Sequence, residues 1–149
     1  MPYTLVEQES SAGWTIVRLA HVLSRRFEAA MRPHGLTPTQ FGVLTTIAAE
    51  PGIGSGELAR RVLVTAQSVG ESVASLEAAG LVARDRSAGR GRRAAITLTA
   101  RGRSVLAAAT LAAATLDDPE VFGLSAPELA TLNALLGRAL RAQHETPPA

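Results

Sequence analysis

One interruption in an otherwise helical sequence constrains the fold of this chain most strongly. Across the 149 residues, apolar side chains recur mainly at helical spacing, but Gly80 ends that periodicity and Thr99 restarts it. Between these two residues, the short apolar runs 81–84 and 95–98 flank a tip rich in Gly and Arg at residues 86–93. Two such runs around a glycine-containing loop are typical of a β-hairpin. The sequence therefore predicts a mainly α fold with a small β-wing.

Start and stop signals divide the helical parts of the chain. Thr37 is predicted to cap a helix whose first residue is Pro38, and Gln40 completes a capping box. The preceding helix should end near Pro33 and Gly35, because proline cannot continue a helix and glycine adopts a left-handed turn. The remaining predicted N-caps are Ser55, Thr65, Thr99 and Ser125, the last with Glu128 in a second capping box.

Positive charge is concentrated near the hairpin, although the net charge of the chain is only +2. All 15 basic residues are arginines, and seven of them lie between Leu81 and Arg103 beside a single acid, Asp85. A nearly neutral protein with one basic patch favours a localised anionic partner. A solvated loop that happens to be basic is the alternative, and the density of the cluster makes it the weaker one.

The composition argues against catalytic, metal and membrane functions. The chain has no cysteine, which excludes disulfides and thiolate metal sites. Its histidines, His21, His34 and His144, are far apart and form no HExxH pattern, and no GxSxG motif is present. We therefore expect no enzyme activity, no cofactor and no metal site. No uncharged stretch reaches the roughly 20 residues of a membrane span, and residues 1–8 do not resemble a secretory signal, so we expect a cytoplasmic protein.

The residues before the hairpin are typical of a helix-turn-helix that binds DNA. A short helix precedes a second one, predicted at residues 66–79, that opens with small polar groups able to reach base edges in the major groove. Gln67 is the most natural base reader, because a glutamine amide can form two hydrogen bonds with adenine. The candidate residues on this recognition helix are Thr65, Gln67, Ser68, Glu71 and Ser72. The wing candidates for phosphate binding are Arg84, Arg86, Arg90, Arg92 and Arg93.

Four segments together resemble the MarR (multiple antibiotic resistance regulator) family of transcription factors, and the resemblance covers roughly residues 12–142. The segments are LTPTQFGVL at 36–44, VTAQSV at 64–69, LEAAGLV at 76–82 and LTARG at 98–102. One position departs from the family pattern, because Arg90 stands where an Asp often precedes the wing arginine, here Arg92.

The resemblance implies a single winged helix-turn-helix domain, residues 1–149, with a DNA-binding lobe at 37–99. It also implies dimerisation helices at 12–34 and 100–142, and a homodimer that binds a pseudo-palindromic operator in double-stranded DNA. We expect a repressor that responds to a small aromatic or anionic effector bound between the dimerisation helices and the DNA-binding lobe.

Two alternatives stay open at this point. Trp14, Arg18 and His21 share one side of the first helix, which favours either a dimer-interface face or a wall of the effector pocket with Phe41 opposite. The chain is alternatively a winged-helix module that binds a ligand or a protein without DNA. Glu71 favours that second reading, because an acid on the recognition face repels phosphate unless it accepts from a cytosine amino group.

Overall fold

The computed structural model describes residues 11–62, 64–85 and 95–145 and confirms a mainly α fold with a small two-stranded sheet. The described elements are α1 (Ala12–Met31), α2 (Pro38–Ala49), α3 (Ser55–Val62), α4 (Ala66–Ala78), β1 (Val82–Asp85), β2 (Ala95–Leu98), α5 (Ala100–Ala114), α6 (Pro119–Phe122) and α7 (Ala126–Glu145). Short 3-10 turns follow α1 and α5, at Arg32–His34 and Thr115–Asp117.

The chain divides into two compact units, Met1–Ala113 and Ala114–Ala149. The first unit holds α1 to α4, the sheet and nearly all of α5, and the second holds α6 and α7. The expected single domain, with a DNA-binding lobe at 37–99 and dimerisation helices at 12–34 and 100–142, stays a prediction. Among the described residues, no helix is both long and apolar enough to cross a membrane.

Local hydrogen bonds explain why the helices begin where they do. At α2, the Gln40 amide N–H donates to Thr37 Oγ1 at 3.2 Å, and the Thr37 N–H donates to Gln40 Oε1 at 2.9 Å, which confirms the capping box. Thr65 caps α4 by accepting from the Ser68 N–H at 3.1 Å. The prediction for α3 was displaced by one residue, because the Leu58 N–H donates to the Gly54 carbonyl and Ser55 is already helical.

The last helix, α7, begins at a hydrogen-bonded Ser125–Glu128 pair. The Ser125 backbone N–H and its hydroxyl both donate to Glu128 Oε2, at 2.8 and 2.7 Å. These two donors lower the pKa of the Glu128 carboxyl, with the hydroxyl contributing most. The bond from the Ser125 N–H is the Glu128 half of the predicted capping box, whereas the Ser125 hydroxyl donates to the carboxylate, a role that the capping box does not give it.

The core of the first unit is built from Leu, Val and Ile side chains of α2, α3, α4 and the sheet. On α3 and α4, the inward-facing residues Leu58, Val69, Val73 and Leu76 are at most 1% exposed. They pack in one cluster with buried residues of α2 and the strands. The burial of one face fixes α4 in place and leaves the opposite face of α4 exposed to solvent.

The sheet forms the base of the wing. β1 and β2 are antiparallel, with Val82 opposite Leu98 and Arg84 opposite Ile96. The first strand was predicted one residue too early. Leu81 instead completes the end of α4, because its N–H donates to the Leu76 carbonyl at 2.9 Å after the left-handed Gly80, whose φ is 71°.

The start of α5 approaches the end of α4 very closely. Thr99 donates from its N–H to the Leu81 carbonyl at 3.0 Å and from its hydroxyl to the Gly80 carbonyl at 2.6 Å. The same hydroxyl oxygen accepts from the Gly102 N–H at 3.0 Å, which confirms Thr99 as the cap of α5. A Cβ atom at Gly102 would lie 1.9 Å from the Leu81 carbonyl oxygen, so only glycine fits there.

The C-terminal end of α5 departs from regular α-helical geometry. The helix ends at Ala114 and tightens into the 3-10 turn Thr115–Asp117. A further short helix, α6, which the sequence analysis did not predict, begins after Asp118. The Asp118 carboxylate accepts from the Glu120 N–H at 3.0 Å and so caps it.

Candidate nucleic-acid interface

Helices α3 and α4 form the predicted helix-turn-helix and both pack on α2. The tight connection is closed by a backbone hydrogen bond from Val64 N–H to the Ala59 carbonyl at 3.3 Å. A side-chain hydrogen bond from Gln40 Nε2 to Ser75 Oγ, at 3.2 Å, also connects the start of α2 to the C-terminal part of α4. The orientation of α4 is therefore fixed by its buried face and by polar contacts.

The N-terminal half of α4 presents polar side chains to solvent. Thr65, Gln67 and Glu71 are exposed, while Ser68 and Ser72 are partly buried beside them. These are the five recognition-helix candidates, and one helix end brings them together. Their small polar groups suit contact with base edges, which short side chains reach from a helix lying in the major groove.

Two of these candidates are bonded to each other. The Gln67 Nε2 donates to Glu71 Oε1 at 3.1 Å, across one turn of α4. A glutamine amide has two N–H bonds, so Gln67 keeps one donor and its Oε1 acceptor for a base. Glu71 therefore orients the side chain that we predict to read adenine.

Helix α4 itself contributes no positive charge. Its sequence, AQSVGESVASLEA, includes two glutamates and no arginine or lysine. Phosphate neutralisation must therefore come from other parts of the chain, and the hairpin arginines are the densest source. Arg86, Arg90, Arg92 and Arg93 lie outside the described residues, so their role as phosphate ligands stays a prediction.

Arg84 is the one predicted wing arginine whose position is described. It lies on β1, and its Nε is 3.4 Å from Glu77 Oε2 of α4. Only 26% of its side chain is exposed. Charge counts alone group Arg84 with the tip arginines and do not reveal Glu77 as its partner, although the alternation of buried and exposed residues along β1 indicates that Arg84 faces inward.

Helix α3 carries a second cluster of charges that the sequence analysis did not single out. Glu57 accepts hydrogen bonds from Arg60 and Arg61, which lower the pKa of its carboxyl, Arg60 having the larger effect. Arg61 also forms an ion pair of 2.6 Å with Glu50 at the end of α2. The hydrogen bond from Arg61 to Glu57 and the charge of Glu50 raise the pKa of Arg61. These ion pairs connect α3, the first helix of the helix-turn-helix, to the end of α2.

The predicted effector residues are only partly brought together. Trp14, Arg18 and His21 line one open groove of about 610 Å³ along α1. Phe41 does not line this groove, and its ring packs edge to face on Phe27 at 5.4 Å. Since these positions come from a single protomer, the assignment of an effector site stays a proposal.

A larger cavity of about 810 Å³ lies between the end of α2, strand β2 and α5. Its walls are mainly apolar, and Arg103 is the charged residue among those that line it. The Arg103 guanidinium donates to the Leu98 carbonyl at 3.2 Å, which holds it at the rim. Within the described part of the chain, no three His, Cys, Asp or Glu side chains gather in a way that could hold a metal ion.

Comparisons with known proteins agree with this geometry. A family model described as the MarR family matches residues 34–93. The helix-turn-helix transcriptional repressor Rv2887 of Mycobacterium tuberculosis is 37% identical over 120 residues, which cover 80% of this chain and 86% of the repressor.

Solved structures of Rv2887 resemble the described fold. Its complex with salicylic acid has a TM-score of 0.72 and 35% identity, and the match covers 87% of this chain and 96% of the Rv2887 chain. Its complex with DNA has a TM-score of 0.72 and 32% identity, and the match covers 87% and 98% of the two chains. The fold is a winged helix-turn-helix, and the relatives match most of the chain at more than 30% identity. The chain therefore belongs to the MarR family of transcriptional regulators.

Proposed function

We propose that this chain is a homodimeric transcriptional repressor that binds double-stranded DNA and releases it when a small effector binds. The observation that carries the proposal is the exposed polar N-terminal half of α4, held outward by Val69, Val73 and Leu76 in the core. Rv2887, which is named as a repressor and has been crystallised with DNA, supports the same role. The protein acts by binding, without catalysis, on chromosomal DNA in the cytoplasm.

A dimer is supported by apolar side chains that the protomer leaves uncovered. Ile16 and Val17 of α1 are 44% and 57% exposed, and Leu135 and Leu140 of α7 are 50% and 52% exposed. Large apolar side chains left exposed in this way are typical of helices that pack on a partner chain. In a two-fold dimer, two copies of α4 would enter successive major grooves about 10 base pairs apart, which requires a pseudo-palindromic operator.

Fluorescence anisotropy with labelled duplexes tests the DNA-binding proposal. The probe is the DNA immediately upstream of the gene that encodes the protein, and a scrambled duplex of equal length and composition is the control. Binding to the upstream duplex should be tighter than to the control at both low and moderate salt, and it should weaken as salt rises because counterions are released. Absence of binding at low salt would favour a winged-helix module that binds a ligand or a protein instead.

We propose that the effector is a small aromatic carboxylate held by Trp14, Arg18 and His21. An indole face, a guanidinium and an imidazole on one groove suit an aromatic ring with an anionic substituent. The complex of Rv2887 with salicylic acid supports this chemical class. Phe41 remains a candidate for the same site in the assembled dimer.

Two matched arginine variants test where the effector binds. Salicylate is titrated into the preformed DNA complex of the wild type, R18Q and R103Q, and release of the duplex is followed by anisotropy. The proposal expects R18Q to need a higher salicylate concentration and R103Q to behave as the wild type. The reverse pattern would place the effector in the cavity between α2, β2 and α5.

A further inference from the structure

We infer that Arg84 is a positioning residue that ties the base of the wing to the recognition helix through Glu77, and that it is not a phosphate ligand. The inference rests on the proposed DNA-binding function and deepens it. The position of Arg84 among the hairpin arginines predicted phosphate binding, and the inferred positioning role replaces that prediction.

The direction of Arg84 follows from the strand that carries it. Side chains alternate between the two faces of a strand, and Val82, two residues before Arg84, is 2% exposed in the core. Ala83 and Asp85 occupy the other face of β1 and are exposed. Arg84 therefore lies on the face of β1 that packs against α4, whereas a phosphate ligand has to extend its guanidinium into solvent.

Glu77 meets Arg84 from the last turns of α4. The distance between Arg84 Nε and Glu77 Oε2 is 3.4 Å, longer than an ordinary N–H···O hydrogen bond, so the contact is an ion pair. The side chains of Arg84 and Glu77 are 26% and 32% exposed, so water screens the pair less than a fully exposed one.

Glu77 also has an electrostatic reason to need a cation. It lies near the C-terminus of α4, where the helix dipole is negative and disfavours a carboxylate. Arg84 offsets that repulsion and at the same time fixes β1 against the helix. Between them the backbone turns through Gly80, a single left-handed residue. The angle between wing and recognition helix thus depends on the side-chain pair as well as on the backbone.

Charge reversal in a double-mutant cycle tests this role. The variants E77R, R84E and the double reversal are compared with the wild type in anisotropy measurements on the same upstream duplex. If the pair positions the wing, E77R weakens binding in the wild-type background, because two arginines then repel each other. In the R84E background the same substitution restores the pair and strengthens binding, by about fivefold or more. An arginine at 77 that merely touched phosphate would strengthen binding in both backgrounds, and this outcome would overturn the inference.

The salt dependence of binding gives a second readout that a phosphate contact would move. Log K falls as log salt rises, and loss of one phosphate contact reduces the steepness of that fall by about 0.9. A lower slope therefore means a less steep fall. R84Q should weaken binding about fivefold to tenfold while the slope stays that of the wild type. R92A, at a predicted phosphate ligand, is the matched comparison and should lower the slope. A slope in R84Q that falls as in R92A would refute the positioning role.

Controls separate this inference from folding and from the proposed function. Circular dichroism confirms that each variant is folded. If R84Q does not fold, DNA binding by E77Q replaces it as the test. E77Q removes the charge that pairs with Arg84, so it weakens DNA binding only if Arg84 acts through Glu77. If the wild type binds no DNA, the proposed function fails together with the inference. If it binds but the cycle shows no coupling, only the inference fails.

Discussion

Gly102 is the position where a single methyl group should disturb the fold most. A Cβ atom built there lies 1.9 Å from the Leu81 carbonyl oxygen and 2.9 Å from the Leu81 carbonyl carbon, both backbone atoms that cannot rotate away. Real Cβ contacts are essentially never shorter than 3.0 Å, so the two backbones would have to separate by about 1.1 Å. We therefore expect Gly102→Ala to push the start of α5 away from the end of α4.

The expected loss of stability follows from the bonds that this separation breaks. Thr99 makes two hydrogen bonds across the contact, to the carbonyls of Leu81 and Gly80, and each contributes about 1 kcal/mol. Overpacking adds about 1 to 3 kcal/mol of strain, and the better helix propensity of alanine returns about 1 kcal/mol. The free energy of unfolding should therefore fall by about 2 to 4 kcal/mol.

Urea unfolding followed by circular dichroism measures this loss, at one fixed protein concentration because the protein is proposed to dimerise. The matched control is Gly70→Ala, in the middle of α4, where a Cβ would meet nothing within 4 Å. There the same substitution should raise the free energy of unfolding by up to about 1 kcal/mol. Equal or greater stability of Gly102→Ala relative to the wild type would refute the close approach of α5 to Leu81.

Three further predictions concern a cap, a carboxylate and a base contact. Thr37→Ala removes the capping box of α2 and should cost about 1 kcal/mol in urea unfolding, with Thr39→Ala, which lies outside the box, as control. Glu57 has a pKa below its ordinary 4.5 in the folded chain, so its contribution to stability is present above pH 4.5 and is lost as pH falls through the lowered value. Stability measured against pH should accordingly fall less in Glu57→Gln than in the wild type over that acidic range, and parallel curves would contradict the assignment. Gln67→Ala should relax preference at one operator position while leaving the salt slope unchanged, in binding to a panel of single-base variants, and a uniform loss across the panel would argue against base reading.

The parts of the fold that the sequence predicted correctly depend on local interactions. Thr37, Thr65 and Thr99 cap helices through bonds to residues three positions away, so a short window of sequence contains both partners. The buried stripe of α4 was equally readable, because Val69, Val73 and Leu76 repeat at helical spacing.

The features that sequence reasoning missed depend on contacts between separate elements. Gly102 is required because Leu81, 21 residues earlier, lies against it, and no local pattern identifies such an approach. The ring of Phe41 packs on Phe27 where α1 contacts α2, and helical periodicity alone does not reveal this contact.

The exposed face of α4 could be predicted from the sequence, whereas the contact of Arg84 with Glu77 could not be predicted from charge counts. The exposed residues of α4 can be inferred from the helical spacing of its buried residues. A charge count, by contrast, predicts phosphate binding for every hairpin arginine. Arg84 sits on the core-facing side of its strand, and neither composition nor net charge distinguishes it from a tip arginine. Strand alternation is the local rule that separates them.

The hydrogen bond between Gln67 and Glu71 has a consequence for selectivity. In the unbound protein the Glu71 carboxylate accepts one amide N–H of Gln67. A base pair can bond that N–H only if it replaces Glu71 as the acceptor, and otherwise the bond between Gln67 and Glu71 stays in place. Glu71 is exposed beside Gln67, and in the major groove the base groups that can donate to its carboxylate are the amino groups of adenine and cytosine. Every base pair carries one such amino group, but its position along the major-groove edge differs among A·T, T·A, G·C and C·G. We therefore expect sequences that place an acceptor opposite Glu71 to be disfavoured by repulsion.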